Sequence, residues 1–441
     1  MSTYRESYYN IKKMYDSRLI IFNTLNGNFV QFDSDLAGKA CEQLNGTQCI
    51  RDQGVFDELV KFGFIIPQET DERSILERLK DSVINNHEQL NLIIFPTEKC
   101  NFRCKYCYEN FEKKAMSPEV QESLINFVKS NIKNYRRINV DWFGGEPLLN
   151  MDIIENLSKK LIEICTRNRV MYASEITTNG YFLTPENVEI LKRCRVYKFH
   201  VTLDGPEEIH NRQRVLYGGG KTWQVIADNM RYIRDNLKSG LIQVSIRTNL
   251  TRYVYDCYKE YMGFLKEEFG QDKRFVYLFR NAEDWGNMQQ EDIKKVFCNE
   301  EQYMEVLIES LKNNFFNIGT RMCLVPGGLL CYAWKKNTIT VRSDGIVGKC
   351  TLNLYEKMNQ IANIDSYEPG SHPGFWDASE KGTPGKCCNC KKYPVCLKVN
   401  CNMATNTEVE CEYDMKYLED ILPYLCKPEY GCKLISRKDL I

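Results

Sequence analysis

Cys100, Cys104 and Cys107 stand in the run Thr97-Glu98-Lys99-Cys100-Asn101-Phe102-Arg103-Cys104-Lys105-Tyr106-Cys107-Tyr108-Glu109, a C-x3-C-x2-C spacing. Three thiolates can hold three irons of a [4Fe–4S] cluster and leave the fourth iron open to an outside ligand. A fully ligated electron-transfer cluster would want a fourth cysteine nearby, and the next is Cys165. On spacing alone, a zinc knuckle with a distant fourth ligand stays open. Downstream, Phe143-Gly144-Gly145-Glu146-Pro147 offers two glycines that allow close backbone approach and a carboxylate that can accept from an ammonium group. Taken alone it reads as a strand-ending turn. Toward the other end lie Cys387-x2-Cys390-x5-Cys396 and a further scatter of cysteines.

The elements around these residues follow from apolar periodicity. Strands are predicted at Leu92–Phe95, Ile138–Phe143, Ala173–Thr177, Tyr197–Leu203, Ile242–Asn249 and Arg274–Phe279, with helices at about 117–133, 151–168, 185–193, 223–237 and 255–268 between them. Repeated βα units imply an α/β fold with parallel strands and helices packed outside. Six units suit a partial, TIM-like barrel, whose active site belongs at the C-terminal strand ends, where the Cys100 loop falls. Residues 1–88 read as a separate winged-helix-like α+β domain with a linker helix. Arg18–Asn23 and Phe29–Phe32 form a hairpin around Asn26-Gly27, helices cover about 34–44 and 55–62, and Asp71–Asn86 is a polar helix. The barrel is assigned to residues 89–315. Residues 316–441 form a loop-rich, cysteine-rich domain and tail. Eleven of the 20 cysteines lie between Cys323 and Cys432, where metal would substitute for a weak apolar core.

The cysteine run resembles the signature of the radical S-adenosylmethionine (SAM) superfamily. Gly144-Gly145-Glu146-Pro147 matches the family's Gly-Gly-Glu-Pro motif. Thr177-Thr178-Asn179-Gly180 and Thr202-Leu203-Asp204-Gly205-Pro206, with Glu208, His210 and Arg214 beyond, resemble the sulfatase-maturing members. The resemblance implies that Cys100, Cys104 and Cys107 hold the SAM-binding cluster. It places Tyr106, Gly144, Gly145, Glu146, Pro147, Thr178, Thr202, Arg214 and Arg247 around SAM, with Arg214 paired to its carboxylate. In this superfamily one electron from the cluster cleaves SAM to methionine and a 5′-deoxyadenosyl radical, which abstracts a substrate hydrogen.

The C-terminal cysteines resemble the SPASM extension, which carries two auxiliary [4Fe–4S] clusters. Thirteen residues separate Cys331 from Gly345, and four more lead to Cys350; Cys387, Cys390 and Cys396 follow. Four residues then precede Cys401, where the extension has three, and Cys411 comes last. Family order assigns Cys323, Cys331, Cys350 and Cys401 to one cluster, and Cys387, Cys390, Cys396 and Cys411 to the other. Cys388, Cys426 and Cys432 are left over. Cys41, Cys49, Cys165, Cys194, Cys257 and Cys298 fall in helical or apolar patterns and read as core fillers.

Lys+Arg and Asp+Glu both number 59, so no basic excess supports a nucleic-acid partner, and no apolar run approaches a membrane span. The N-terminal residues lack a signal-peptide stretch, so a cytoplasmic location is expected, where many cysteines beside only four histidines point to iron–sulfur centres. The family implies a flavodoxin- or ferredoxin-type electron donor and a ribosomally made precursor peptide with a leader. The N-terminal unit would recognise that leader by strand addition. Three enzyme readings follow: a cross-linking peptide maturase (thioether, C–C or C–O), a peptide epimerase, and a formylglycine-type sulfatase maturase. The last would want an aspartate as base after the cysteine that Cys350 resembles, and Thr351 stands there. The non-enzyme reading is an iron–sulfur electron carrier.

Overall fold

Six strands in strict sequence order build the larger sheet of the protein: Gln89–Ile94, Arg137–Trp142, Met171–Thr178, Val196–Thr202, Gln243–Leu250 and Phe275–Asn281. Every neighbouring pair is parallel. Alternate side chains are buried, as in Leu90-x-Leu92-x-Ile94 and Ile138-x-Val140-x-Trp142, the period of a half-covered strand. The computed structural model describes residues 3–47, 49–283, 295–371, 376, 383–398, 411 and 413–440.

Helices Pro118–Asn131, Met151–Arg167, Pro185–Arg193, Trp223–Asn236 and Tyr258–Glu268 connect successive strands. Two start where the sequence supplies both a cap and a proline. Ser117 accepts from the Val120 amide ahead of Pro118, and Thr184 accepts from Asn187 ahead of Pro185. The helices bury one stripe each, for instance Ile154, Leu157 and Leu161. The arrangement is the partial βα barrel expected of the sequence. Beyond its first strand the sheet continues through Thr338–Val341, parallel, and then Ile346–Gly348 and Ala362–Asn363, antiparallel.

The chain divides into two units. One holds residues 85–310 and 332–377, and contains all of this sheet; the other holds residues 1–84, 311–331 and 378–441. In the latter, a four-stranded sheet runs in the order Cys432–Ile435, Phe29–Phe32, Arg18–Asn23, Asn10–Tyr15. The expected hairpin is present, with Gly27 at φ +78° in its turn. Helices Ser34–Asn45, Gln53–Lys61 and Glu72–Ile84 belong to the same unit, as does the antiparallel pair Tyr4–Glu6 and Ile65–Pro67. Its core gathers Leu19, Ile21, Val30, Phe32, Leu36, Ala40, Val55, Leu59 and Ile435. Two strands escape the periodicity. Asn10–Tyr15 carries Lys12 and Lys13 on a sheet edge, and Cys432–Ile435 joins from more than 390 residues downstream of Phe32. Cys165, Cys194 and Cys298 are buried and Cys41 and Cys257 half-buried, but Cys49 is exposed just beyond a helix and fills no core.

Candidate functional site

The first barrel strand ends at Ile94, and the chain runs directly into the cysteine loop. Its backbone is pinned on two sides. Phe102–Cys104 pairs antiparallel with Arg214–Leu216, setting Cys104 opposite Arg214. On the other side the Glu146 amide donates to the Lys99 carbonyl at 2.9 Å. A Cβ on Gly145 would lie 2.4 Å from the Lys99 carbonyl oxygen and 2.7 Å from that of Glu98. Gly144, at φ +116°, would meet the Thr97 carbonyl oxygen at 2.3 Å. The close approach that the two glycines permit is therefore to the cysteine loop itself.

Glu146 is fully buried, and both its carboxylate oxygens are occupied. They accept from the Leu148 amide (3.0 Å), the Thr178 hydroxyl (2.8 Å) and the Asn179 amide (2.7 Å). Burial pushes this carboxyl up to about 7 against those three donors. Thr178 is likewise committed, accepting from Gly180 at 3.0 Å. Asn179 passes the connection on, donating to Asn101 Oδ1 at 2.8 Å and reaching Cys100 Sγ at 3.9 Å. Pro147 opens the short 3-10 helix that Glu146 caps.

A second network lies on the other flank. The Tyr106 hydroxyl donates to Asp204 Oδ2, and receives Arg214 Nη1 at 2.8 Å and Asn249 Nδ2 at 3.1 Å. Asp204 Oδ1 accepts the Asn249 amide at 2.8 Å, and the Asp204 amide donates to His210 Nδ1 at 3.1 Å. Burial works against the charge on Arg214, but Cys104, Tyr106 and Asp204 together hold it firmly protonated. Arg247 donates to Asn249 Oδ1 at 3.0 Å, and its guanidinium stays open to solvent although Arg280, Tyr106, Tyr108 and Asp204 ring it. Thr202 lies in register with Arg247 at the strand ends.

Tyr106, Arg214 and Arg247 thus converge in one network, while Gly144, Gly145, Glu146, Pro147 and Thr178 belong to the other. Asp204, His210 and Asn249 complete the former network. A further brace came with no local signal. Arg342, from the strand-hairpin extension, forms a buried ion pair with Glu98 at 3.0 Å, and Ser343 and Tyr355 also donate to Glu98. Glu109 is buried close by, and burial, with Glu98 adding, pushes its carboxyl up to about 8.

Burial raises all three thiols of Cys100, Cys104 and Cys107, and each of Cys100 and Cys107 feels Cys104 electrostatically. Among the described residues no three His, Cys, Asp or Glu side chains are gathered to hold a single metal ion. Around the loop, Asn101 Nδ2, Glu109 Oε2, His210 Nε2, Gln213 Nε2 and Arg214 Nε are buried with no hydrogen-bond partner. Buried polar atoms left unpaired are costly, and a polar ligand beside the loop would satisfy them. Three thiols, an unpartnered guanidinium nitrogen and an open Arg247 fit a thiolate-bound cluster and an amino-acid ligand with a carboxylate.

In the other unit, Cys387 lies within electrostatic reach of Cys390, Cys396 and Cys411, and Cys396 also within reach of Cys411. Cys387 is raised by burial and then by Cys390 and Cys411. Cys396 is pushed up to about 12 by burial, with Cys387 and Cys411 contributing. The Cys390 amide donates to the Cys387 carbonyl at 3.1 Å, so the C-x2-C forms a single turn. Cys323 and Cys331 belong to this unit, Cys350 to the barrel unit, and Cys401 lies outside the described residues. Cys350 is buried, and the Thr351 hydroxyl is bound to the Tyr332 hydroxyl at 2.6 Å.

Comparison with known proteins bears on the same residues. The Radical SAM superfamily model matches residues 94–267. The radical SAM cyclopropyl synthase TigE of Paramaledivibacter caminithermalis is 24% identical over 269 residues, 52% of this chain and 55% of that protein. The chain thus spans about half the length of that relative. The cysteine-type anaerobic sulfatase-maturating enzyme of Clostridium perfringens (strain 13) is 23% identical over 361 residues, 74% of this chain and 93% of that protein. The solved structure of native anSMEcpe with bound AdoMet and Kp18Cys peptide shares the fold, with a TM-score of 0.62 at 19% identity over 78% of this chain and 98% of that one. Because the matched span runs from the end of the first strand through the cysteine loop and four further βα units, the chain carries a radical SAM domain.

Proposed function

We propose that the protein is a radical SAM enzyme that modifies a ribosomally made precursor peptide by installing a cross-link, a thioether first and a C–C or C–O bond as its variants. The observation that carries the reading is the Cys100–Cys107 loop, buttressed by Gly144-Gly145 and ringed by buried polar atoms that lack partners. Cys100, Cys104 and Cys107 would hold a [4Fe–4S] cluster, and Cys387, Cys390, Cys396 and Cys411 a second one. Cys323, Cys331, Cys350 and Cys401 are assigned to a third. When bound, cluster and SAM together supply hydrogen-atom abstraction.

The chain's own residues do the rest. Gly144 and Gly145 let the Gly-Gly-Glu-Pro backbone lie flat on the cysteine loop. Asp204 and Asn249 fix Tyr106, and Tyr106 fixes Arg214. Arg247 and Arg214 supply positive charge for the carboxylate of SAM. The peptide part of the proposal draws on residues 1–84, whose antiparallel strands and three helices we read as a winged-helix-like recognition module. It draws also on anSMEcpe, which is described with a bound peptide. A flavodoxin- or ferredoxin-type protein would deliver the electron.

A second reading, formylglycine formation, is favoured by the sulfatase-maturating relative, 93% of whose length is matched. Against it, Thr351 stands in place of the basic aspartate, with its hydroxyl already bonded to Tyr332.

The test is reductive SAM cleavage by the iron-loaded protein, with and without a peptide encoded beside it. The wild type should release 5′-deoxyadenosine, and a triple variant Cys100→Ala, Cys104→Ala, Cys107→Ala should release none while keeping its auxiliary iron. Cleavage by that variant would refute the assignment. Peptide mass separates the reactions. A cross-link removes two hydrogens and keeps sulfur, formylglycine made from cysteine loses the sulfur, and epimerisation leaves the mass unchanged.

A further inference from the structure

Cys426 and Cys432 belong to none of the cysteine motifs. Cys426 ends the 3-10 turn Leu422–Leu425, with its Sγ donating to the Leu422 carbonyl at 3.4 Å. The chain then turns back through Pro428–Tyr430, and Gly431 takes φ +81°. The Cys432 amide closes the loop on the Lys427 carbonyl at 3.3 Å. Five residues separate the two cysteines, and the bond from the Cys432 amide to the Lys427 carbonyl folds Cys432 back beside the turn that Cys426 ends, where the Cys426 thiol raises that of Cys432. Both are half-buried, so small molecules can reach them.

Cys432 also opens the strand Cys432–Ile435, which lies parallel to Phe29–Phe32 at the edge of the four-stranded sheet. That strand is an edge strand of four residues, anchored at its far end. Ile435 is fully buried and its carbonyl accepts the Asp33 amide at 3.0 Å, but Leu434 is 53% exposed. A covalent tie at its first residue would restrain it from peeling.

We propose that Cys426 and Cys432 are a reversible dithiol–disulfide pair that locks the C-terminal strand onto the sheet of its unit. The oxidant is a low-molecular-weight disulfide of the glutathione class. One cysteine thiolate attacks a sulfur of that disulfide, breaking its S–S bond and expelling one small thiol. The other cysteine then attacks the mixed disulfide, forming the Cys426–Cys432 bond and expelling the second small thiol. The protein gives up two electrons and two protons, and both end on the two released thiols. In a reducing compartment such pairs are transient and sense redox state. The inference is independent of the reaction proposed above.

The experiment exposes the full-length protein to oxidised glutathione, alkylates the remaining thiols and digests with trypsin. Lys427 precedes a proline and resists cleavage, so Tyr417–Lys433 emerges as one fragment holding both cysteines. That fragment should be two hydrogens lighter and carry no alkyl group, under conditions where the exposed Cys49 carries glutathione. Two alkyl groups on it, or a lasting glutathione adduct, would overturn the proposal. Amide exchange over residues 432–435 should be slower in the oxidised protein, and Cys432→Ser should abolish the difference. Equal exchange in both redox states of the wild type would refute the lock.

Discussion

His210 accepts the Asp204 amide at Nδ1, so its proton sits on Nε2, buried with no partner. Burial, with the Arg214 charge adding, holds this imidazole well below the ordinary histidine value. It therefore stays neutral in the folded protein, whereas the unfolded chain takes up a proton below about pH 6.5. Stability is thus lost as pH falls below that point, at about 1.4 kcal/mol per pH unit for one proton. His210→Asn keeps an acceptor near the Nδ1 position and cannot titrate. Urea midpoints at pH 7 and pH 5.5 should drop further for the wild type than for the variant; equal drops would rule out the buried neutral imidazole. Gly145 gives a steric counterpart. Its Cβ would strike two backbone carbonyl oxygens, which cannot swing aside as a flexible side chain does. Gly145→Ala should cost about 1–3 kcal/mol and reduce SAM cleavage, because relieving the clash displaces the cysteine loop. A variant with unchanged stability and cleavage would show that the loop has room.

Strands such as Arg137–Trp142 and Met171–Thr178 were readable because they alternate buried and open residues, while Gln243–Leu250 and Phe275–Asn281 are runs of mostly apolar or small residues buried at most positions; both signals are contained in the strand itself. The Cys100–Cys107 motif was readable for the same reason, since its three cysteines lie within a single loop. What escaped depends on partners far away in sequence. Phe102–Cys104 is a strand only because Arg214–Leu216 pairs with it, and Glu98 meets Arg342 across 244 residues. Tyr106 draws Asp204 from 98 residues away and Asn249 from 143, so spacing could flag Asp204 only as part of a turn. The N-terminal sheet shows the same limit, with a consequence for peptide binding. Its strand order leaves Phe29–Phe32 in the interior, so strand addition has two edges to use, Asn10–Tyr15 and Cys432–Ile435. An added peptide strand would hydrogen-bond one edge and slow its amide exchange. Hydrogen exchange with a leader peptide should therefore protect one of these two segments and leave Arg18–Asn23 unchanged. Peptide binding that protects neither edge would remove strand addition from the proposal.

With 20 cysteines and four histidines, the protein as a whole has far more soft ligands than a single site needs. Its two units each hold cysteines that feel one another electrostatically, Cys100, Cys104 and Cys107 in one and Cys387 with Cys390, Cys396 and Cys411 in the other. On the proposal above, two four-iron clusters would account for about eight irons per chain, and a third set built on Cys323, Cys331, Cys350 and Cys401 would bring the total to about twelve. Iron near four per chain with stoichiometric zinc would contradict the auxiliary clusters altogether. Cys323 would decide the character of the proposed third cluster. It is fully buried, with its Sγ 3.6 Å from the Gly319 carbonyl. The chain turns immediately after it at Pro326-Gly327-Gly328, with Gly327 at φ +69°. If Cys323 is a ligand, all four irons of that cluster are held by protein, and a substrate thiol cannot bind there without displacing one. The cluster would then serve to accept the electron left on a substrate radical as the new bond closes. Cys323→Ala should alter the iron–sulfur spectra and lower cross-linked product, while SAM cleavage at the Cys100–Cys107 loop continues. A variant with unchanged iron, spectra and product yield would make Cys323 a packing residue. It would also leave the cluster an open iron at which a substrate cysteine could bind as thiolate before the new bond forms.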